Sequence, residues 1–137
     1  MTDDVVLNKI QTIRRCLRRI DEEYRNDPVN LNNQTKQDSI ILNLQRACES
    51  AIDLAMHLVS EKRLGIPQNS RDAFDMLSQA HVISESLSVR LKAMVGFRNI
   101  AIHDYQAIQV KIVQKIIQIH LQDFSEFVEA VLRAEVG

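Results

Sequence analysis

The chain has 137 residues, of which 45% are hydrophobic and 26% charged, and its formal net charge is −1. This size and mixture predict one globular domain with a single core, and a charge near zero argues weakly against a nucleic-acid binder. The three glycines and two prolines are too few for glycine-rich phosphate loops or a fold of many tight turns. Tryptophan is absent and 4% of the residues are aromatic, which disfavours a base-stacking sheet. No apolar run approaches the roughly 20 residues that span a bilayer, so no membrane association is expected.

The first helix is predicted from apolar residues that recur at steps of three and four over 6–24. Asp3 or Asp4 precedes this stripe and can cap the helix. The stretch 26–33 then breaks the pattern with one proline and several asparagines, so it is predicted to form a loop.

The second helix is predicted to begin near Thr35, whose spacing to Asp38 resembles a capping box. It runs to about Arg63 and is stopped by the Gly-Ile-Pro sequence that follows. Ser70 is then expected to cap a short third helix.

Two further helices complete the predicted fold. Ser84 opens a fourth helix, and a last one runs from about Val110 to Arg133 with His120 on its apolar side. The sequence therefore predicts a single all-α domain over residues 1–137, with four long helices in a bundle and one short connector helix.

Cysteine and metal chemistry receive little support from the sequence. Cys16 and Cys48 lie among apolar residues and fit neither a metal spacing nor a disulfide framework, so a reducing, cytoplasmic location is expected. No two of the four histidines are three or four residues apart. Glu49 and Asp53 are one helical turn apart, but solvent exposure or an ion pair is the commoner explanation. We therefore expect neither a metal nor a cofactor.

Several polar side chains cluster in one segment at the end of the fourth helix. Within eight residues it carries five polar side chains: Arg98, Asn99, His103, Asp104 and Tyr105. Five residues of ideal helix separate Arg98 from His103 by about 140° of rotation, so the two would not share a face. They converge only if the helix ends near His103 or if a second chain supplies one of them.

A purely structural explanation of the segment is available and is favoured by the local spacing alone. Arg98 would pair with Asp104 or Glu49, and His103 would stabilise the carboxyl end of its helix through the helix dipole.

The pattern Arg98-x4-His103-x-Tyr105 resembles the Arg-x4-6-His motif of the HEPN superfamily, in the form found in HepT toxins. Segments 42–49, 64–67 and 94–99 are also similar to HepT sequences in the same order, so the resemblance covers nearly the whole chain. It implies an up-and-down four-helix HEPN bundle and a ribonuclease toxin whose partner is MntA, a minimal nucleotidyltransferase antitoxin.

The resemblance gives the polar residues candidate roles. Cleavage of RNA without a metal needs a base, an acid and a cation for the phosphate. His103 can act as base or acid near neutral pH, and Arg98 offers a fork that suits phosphate oxygens. A homodimer would place two copies of each in one cleft. Asn99 would position the phosphate or orient His103, and Asp104 would fix the local geometry.

Tyr105 is expected to be the modified residue, because the resemblance implies that the antitoxin AMPylates the motif tyrosine. From its position alone, a helix-terminal tyrosine that packs on the bundle is the commoner explanation. Attached AMP units would add bulk and negative charge and block RNA.

Basic residues outside the motif are expected to bind the RNA backbone. Arg14, Arg15, Arg18 and Arg19 form a ridge on the first helix, and Lys92 precedes the motif. For any single arginine a solvated surface position is the commoner explanation.

Two functions therefore remain open on sequence grounds. The first is a metal-independent ribonuclease toxin that acts on tRNA or mRNA. The alternative is a non-catalytic helical partner or substrate-binding subunit of a nucleotidyltransferase. A pure adaptor has no need for Arg98 and His103, so their presence favours the enzyme.

Overall fold

A computed structural model describes residues 3–136 of the chain, and it is all-α, as predicted. Met1, Thr2 and Gly137 belong to the predicted domain range but lie outside the described residues. The helices are α1 (Asp4–Tyr24), α2 (Gln34–Glu61), α3 (Ser70–Gln79), α4 (Glu85–His103), α5 (Val110–Lys115) and α6 (Leu121–Val136). A π-helical turn, Ile116–His120, joins α5 to α6 in one continuous rod. Between residues 3 and 136, no helix is both long and apolar enough to cross a membrane.

The bundle consists of α1, α2, α4 and the rod of α5 and α6, with α3 as the short connector. α1 packs along α2, and α3 packs on both α2 and α4. Apolar side chains from all the helices of the bundle form one core. Within it the rings of Phe74 and Phe127 make an edge-to-face contact, with their centroids 5.7 Å apart. On α1, Cys16 is buried in this core, whereas its neighbour Leu17 is only partly buried.

Two of the predicted helix caps are confirmed. The Asp3 carboxylate accepts the backbone N–H of Val5 at 2.7 Å and starts α1. The Ser84 hydroxyl accepts the backbone N–H of Leu87 at 3.0 Å and starts α4. Both satisfy amide groups that have no partner inside their helix.

The other two predicted caps are wrong. Asn33 caps α2, so Thr35 and Asp38 lie inside the helix and form no capping box. Asn69 caps α3, and Ser70 is its first residue. The asparagine amide oxygen is as good a cap as a hydroxyl, and in both places it comes first in the chain.

A buried carboxylate joins α4 to the rod. Asp123 is 1% exposed, and its oxygens accept from Arg90 at 2.5 Å and from His120 at 2.9 Å. Arg90 also donates to Glu126 at 2.6 Å. His120, expected to be a satisfied core or interface histidine, is half-buried and satisfied by this bond.

We expect Arg90→Ala to lower the free energy of unfolding by about 3 kcal/mol, because it leaves the buried Asp123 charge with His120 alone. Urea denaturation followed by circular dichroism measures the change. Arg133→Ala, which removes an exposed arginine from α6, is the matched control and should cost less than about 0.5 kcal/mol. Equal effects of the two substitutions would show that the ion pair contributes no more than a surface charge.

Candidate active site

The polar segment lies at the carboxyl end of α4, where the helix changes into a 3₁₀ turn. His103 is the last residue of the helix and Asp104 caps it, with the Asp104 N–H donating to the Ile100 carbonyl at 2.8 Å. Tyr105 then opens the 3₁₀ turn Tyr105–Ala107. The helix therefore ends at His103, which is the first of the two conditions under which Arg98 and His103 can converge.

The Arg98 guanidinium is half-buried against α3 and only partly satisfied. Its Nη2 donates to the Ser70 hydroxyl at 3.4 Å, whereas its Nε is buried without a hydrogen-bond partner in the structure. Within residues 3–136 it forms no salt bridge, so the proposed pairing with Asp104 or Glu49 is not present. A buried guanidinium N–H without a hydrogen-bond acceptor is uncommon in folded proteins.

A second guanidinium, which no sequence pattern predicted, approaches the same helix. Arg71 Nη2 lies 3.2 Å from the point where a Cβ would project from Gly96. Glycine is unfavourable inside a helix, and here it leaves the space that the arginine occupies. The mid-helix glycine was a signal of close packing, but spacing along the chain does not reveal that α3 supplies the neighbour.

The other three motif residues at the end of α4 are exposed or half-buried. His103 and Asp104 are exposed and Asn99 is half-buried. Among the described residues, none of their side chains takes part in a hydrogen bond, and Asn99 does not bond to His103. The expected role of Asn99 in orienting His103 therefore stays a prediction. All three side chains are available to a molecule from outside this chain.

Tyr105 is tied to a distant helix, which the sequence did not predict. Its hydroxyl donates to Asp38 on α2, 67 residues earlier in the chain, while 39% of the residue remains exposed. Burial and then the bond to Asp38 raise the pKa of Tyr105 to about 12, since both disfavour the phenolate. The phenol is therefore neutral at physiological pH.

The four arginines of the predicted ridge are all exposed: Arg14, Arg15, Arg18 and Arg19. Arg19 is neutralised by Glu22 at 2.8 Å and Glu23 at 3.2 Å. The other three form no salt bridge in the part of the chain that the structure describes. Lys92 pairs with Asp75 on α3 at 2.7 Å, which ties up its charge. The available positive charge on α1 thus comes from three of the four predicted arginines.

Acidic side chains considered as metal ligands have other partners. Asp53 accepts from Lys9 at 3.0 Å, and Glu49 accepts from Gln45 at 3.0 Å. This agrees with the ion-pair explanation for Asp53.

One group of residues with metal-ligating side chains was missed. Ligand atoms of Asp3, His57 and Glu61 all lie within 4.8 Å of one another, and His57 Nε2 is 2.7 Å from the Asp3 carboxylate. The four-residue spacing of His57 and Glu61 was the available signal. The bond to His57 is the main reason why the pKa of Asp3 is lowered, so this cluster fastens the start of α1 to α2.

The cysteines are structural. Cys16 and Cys48 are both free and buried, and burial raises the pKa of each thiol. A thiol held in its protonated form is a poor nucleophile, in agreement with the sequence analysis.

Comparison with known proteins shows which class this fold and motif define. The ribonuclease HepT-like family matches residues 7–131. A protein of Shewanella oneidensis described as mRNA nuclease HepT is 49% identical over 133 residues, which is 97% of this chain and 99% of the relative. The chain therefore belongs to the ribonuclease HepT-like family.

Two solved structures have the same fold and nearly half of their residues in common with this chain. One is a tri-AMPylated Shewanella oneidensis HEPN toxin in complex with MNT antitoxin, with a TM-score of 0.91, 47% identity, and coverage of 96% of this chain and 99% of that one. The other is a mutant MntA–HpeT toxin–antitoxin, with a TM-score of 0.88, 47% identity, and the same coverage. The predicted up-and-down HEPN bundle is thereby confirmed.

Proposed function

We propose that this chain is the toxin of a toxin–antitoxin pair, a metal-independent endoribonuclease formed by one HEPN domain. The observation that carries the proposal is the half-buried Arg98, which forms no salt bridge within residues 3–136, on the same helix end as the exposed His103. The family and the relative named as an mRNA nuclease give the reaction class, with messenger RNA as the favoured substrate over tRNA. Free, buried thiols fit a cytoplasmic setting, where that substrate occurs.

The reaction needs two proton transfers, and each chain offers one motif histidine. One His103 takes the proton of a ribose 2′-hydroxyl, whose oxygen then attacks the adjacent phosphorus. The bond from phosphorus to the 5′-oxygen breaks, and the His103 of a second copy gives its proton to that leaving oxygen. Arg98 binds the non-bridging phosphate oxygens and stabilises their added negative charge. The products are a 2′,3′-cyclic phosphate and a 5′-hydroxyl.

The second copy is proposed to bind at an apolar groove beside the motif. This groove of about 410 Å³ lies between α4 and α5 and is lined by Phe97, Ile100, Ile112 and other residues. Ile100 and Ile112 are 45% and 47% exposed in the single chain. Apolar side chains of this size favour burial against a partner, and Ile100 lies within the motif itself. A homodimer across this face would place both histidines near one cleft.

We expect Ile112→Glu to produce a folded monomer that has lost RNA cleavage, because a charge in the interface opposes association. Sedimentation velocity gives the oligomeric state. The matched control is Ile66→Glu, since Ile66 is 84% exposed in the loop between α2 and α3 and should leave the dimer intact. A folded monomer that still cuts RNA would contradict the composite site.

The proposed antitoxin is an MntA-type nucleotidyltransferase that adds AMP to Tyr105. Its support is the AMPylated state of the related toxin, together with the exposure of Tyr105 two residues beyond His103. AMP phosphates there would occupy space and charge near the cleft and exclude RNA phosphates. The three exposed arginines of α1 that form no salt bridge within residues 3–136, Arg14, Arg15 and Arg18, are proposed to track the RNA backbone.

The proposal is tested with the purified, unmodified chain and RNA in EDTA. We expect cleavage that EDTA leaves unchanged, and growth arrest on expression that the partner gene relieves. Strong inhibition by EDTA would instead direct attention to the carboxylates of Glu49 and Asp53. Absence of cleavage with retained binding to the nucleotidyltransferase would support the alternative, a non-catalytic partner.

A further inference from the structure

The contact between Tyr105 and Asp38 has the geometry of a nucleophile and its base. The phenol O–H donates a hydrogen bond to the carboxylate, which leaves the lone pairs of the same oxygen free to attack an electrophile. The Gln34 amide also donates to Asp38 Oδ1, at 2.8 Å, and holds the carboxylate in place. In the described part of the chain, no lysine, arginine or histidine forms a salt bridge with Asp38.

There is space beside the phenol for a nucleotide. A cavity of about 350 Å³ adjoins Tyr105 and is lined by Gln34, Gln37, Ile41, Gln106 and other residues. This volume lies in the range of small-ligand sites. The Tyr105 hydroxyl thus contacts a carboxylate that can accept its proton, and it also adjoins a cavity through which a nucleotide can approach.

We propose that Asp38 is the general base for the AMPylation of Tyr105, so that the toxin carries part of the machinery for its own neutralisation. This inference rests on the proposed modification of Tyr105. The phenolic oxygen attacks the α-phosphorus of a nucleoside triphosphate bound by the antitoxin, and its proton passes to the Asp38 carboxylate. The bond from the α-phosphorus to the bridging oxygen breaks, and pyrophosphate leaves.

A neutral phenol needs such a base. Its pKa is raised to about 12, so the phenolate is scarce near pH 7. As the new oxygen–phosphorus bond forms, the phenol becomes strongly acidic, and a carboxylate already in contact can accept its proton in the transition state.

The test compares Asp38→Asn with the unaltered chain as substrates of the antitoxin and ATP. Asparagine keeps an acceptor oxygen for the phenol but is not a base, so the rate of the first AMP addition should fall about 100-fold. Mass spectrometry of the peptide containing Tyr105 measures that rate. Glu129→Gln, which removes one exposed charge from α6, is the matched control and should be modified at the rate of the unaltered chain.

The pH dependence separates a base from a residue that only positions the tyrosine. With Asp38 the rate should be nearly constant between about pH 7 and 9, whereas in Asp38→Asn it should rise about tenfold per pH unit as phenolate forms. A loss that is equal at every pH, or no loss at all, would overturn the base role. If the unaltered chain is not modified on Tyr105, the proposed neutralisation itself fails, which is a distinguishable result.

Discussion

The His103→Ala variant is expected to lose RNA cleavage by about 10³-fold or more, because each cleft of the proposed dimer then lacks both its proposed base and its proposed acid. The fold should not change, since His103 is exposed and its side chain forms no hydrogen bond within residues 3–136. The rate of cleavage of a labelled RNA and the helical circular dichroism signal are measured together. The matched control is His81→Asn, because His81 is an exposed turn histidine with a φ of 63° that asparagine tolerates.

Arg98→Ala is expected to cause a loss of about 10²-fold to 10³-fold, as found for removal of a group that stabilises transition-state charge. Arg98→Lys should restore only part of it, because an ammonium lacks the planar fork. Neither change should reduce the unfolding midpoint, since the Nε of Arg98 is buried without a hydrogen-bond partner in the structure. If Arg98→Ala unfolds the domain, the structural explanation of the motif is correct.

Tyr105→Phe is expected to keep most of the nuclease activity and to escape neutralisation entirely. The hydroxyl is neither the base nor the acid of the proposed cleavage, but without it no AMP can be attached. Cells that co-express this variant with the antitoxin should arrest growth, whereas cells with the unaltered chain should grow.

The control for this prediction comes from the chain's other tyrosine. The sequence has two tyrosines, and Tyr24 is buried and accepts from Gln118 at 3.1 Å. Tyr24→Phe should therefore still be neutralised, with AMP mass on the peptide containing Tyr105. Modification of another residue, or full neutralisation of Tyr105→Phe, would refute the assignment.

Most of the helices could be predicted because each depends on the spacing of apolar residues within its own segment of the chain. Apolar spacing placed all the long helices, and the predicted start at Val110 is the observed one. The π-helical turn Ile116–His120 was not predicted, since a wider turn keeps every residue helical and barely disturbs the apolar pattern. The two misplaced caps arose where several capping residues are neighbours, so that composition alone did not choose between them.

The candidate site could be predicted only in part. Arg98, His103 and Tyr105 drew attention because they lie close together in the chain, and their candidate roles came from the resemblance to HepT toxins. Arg98 and Tyr105 bond to Ser70 and Asp38, which lie on other helices 28 and 67 residues away, and no spacing rule links them. Such contacts depend on how helices pack against one another, which a single sequence does not specify.

The termini of the RNA fragments distinguish metal-independent attack by a ribose 2′-hydroxyl from hydrolysis by a metal-activated water. The unmodified chain is incubated with a defined RNA in EDTA, and the termini of the fragments are determined beside those from His103→Ala. We predict 2′,3′-cyclic phosphate and 5′-hydroxyl ends from the unaltered chain, none from the variant, and no cleavage where the ribose at the scissile site is 2′-deoxy. Fragments with 5′-phosphate and 3′-hydroxyl ends, or cleavage that EDTA abolishes, would contradict the account, because both indicate a metal-activated water.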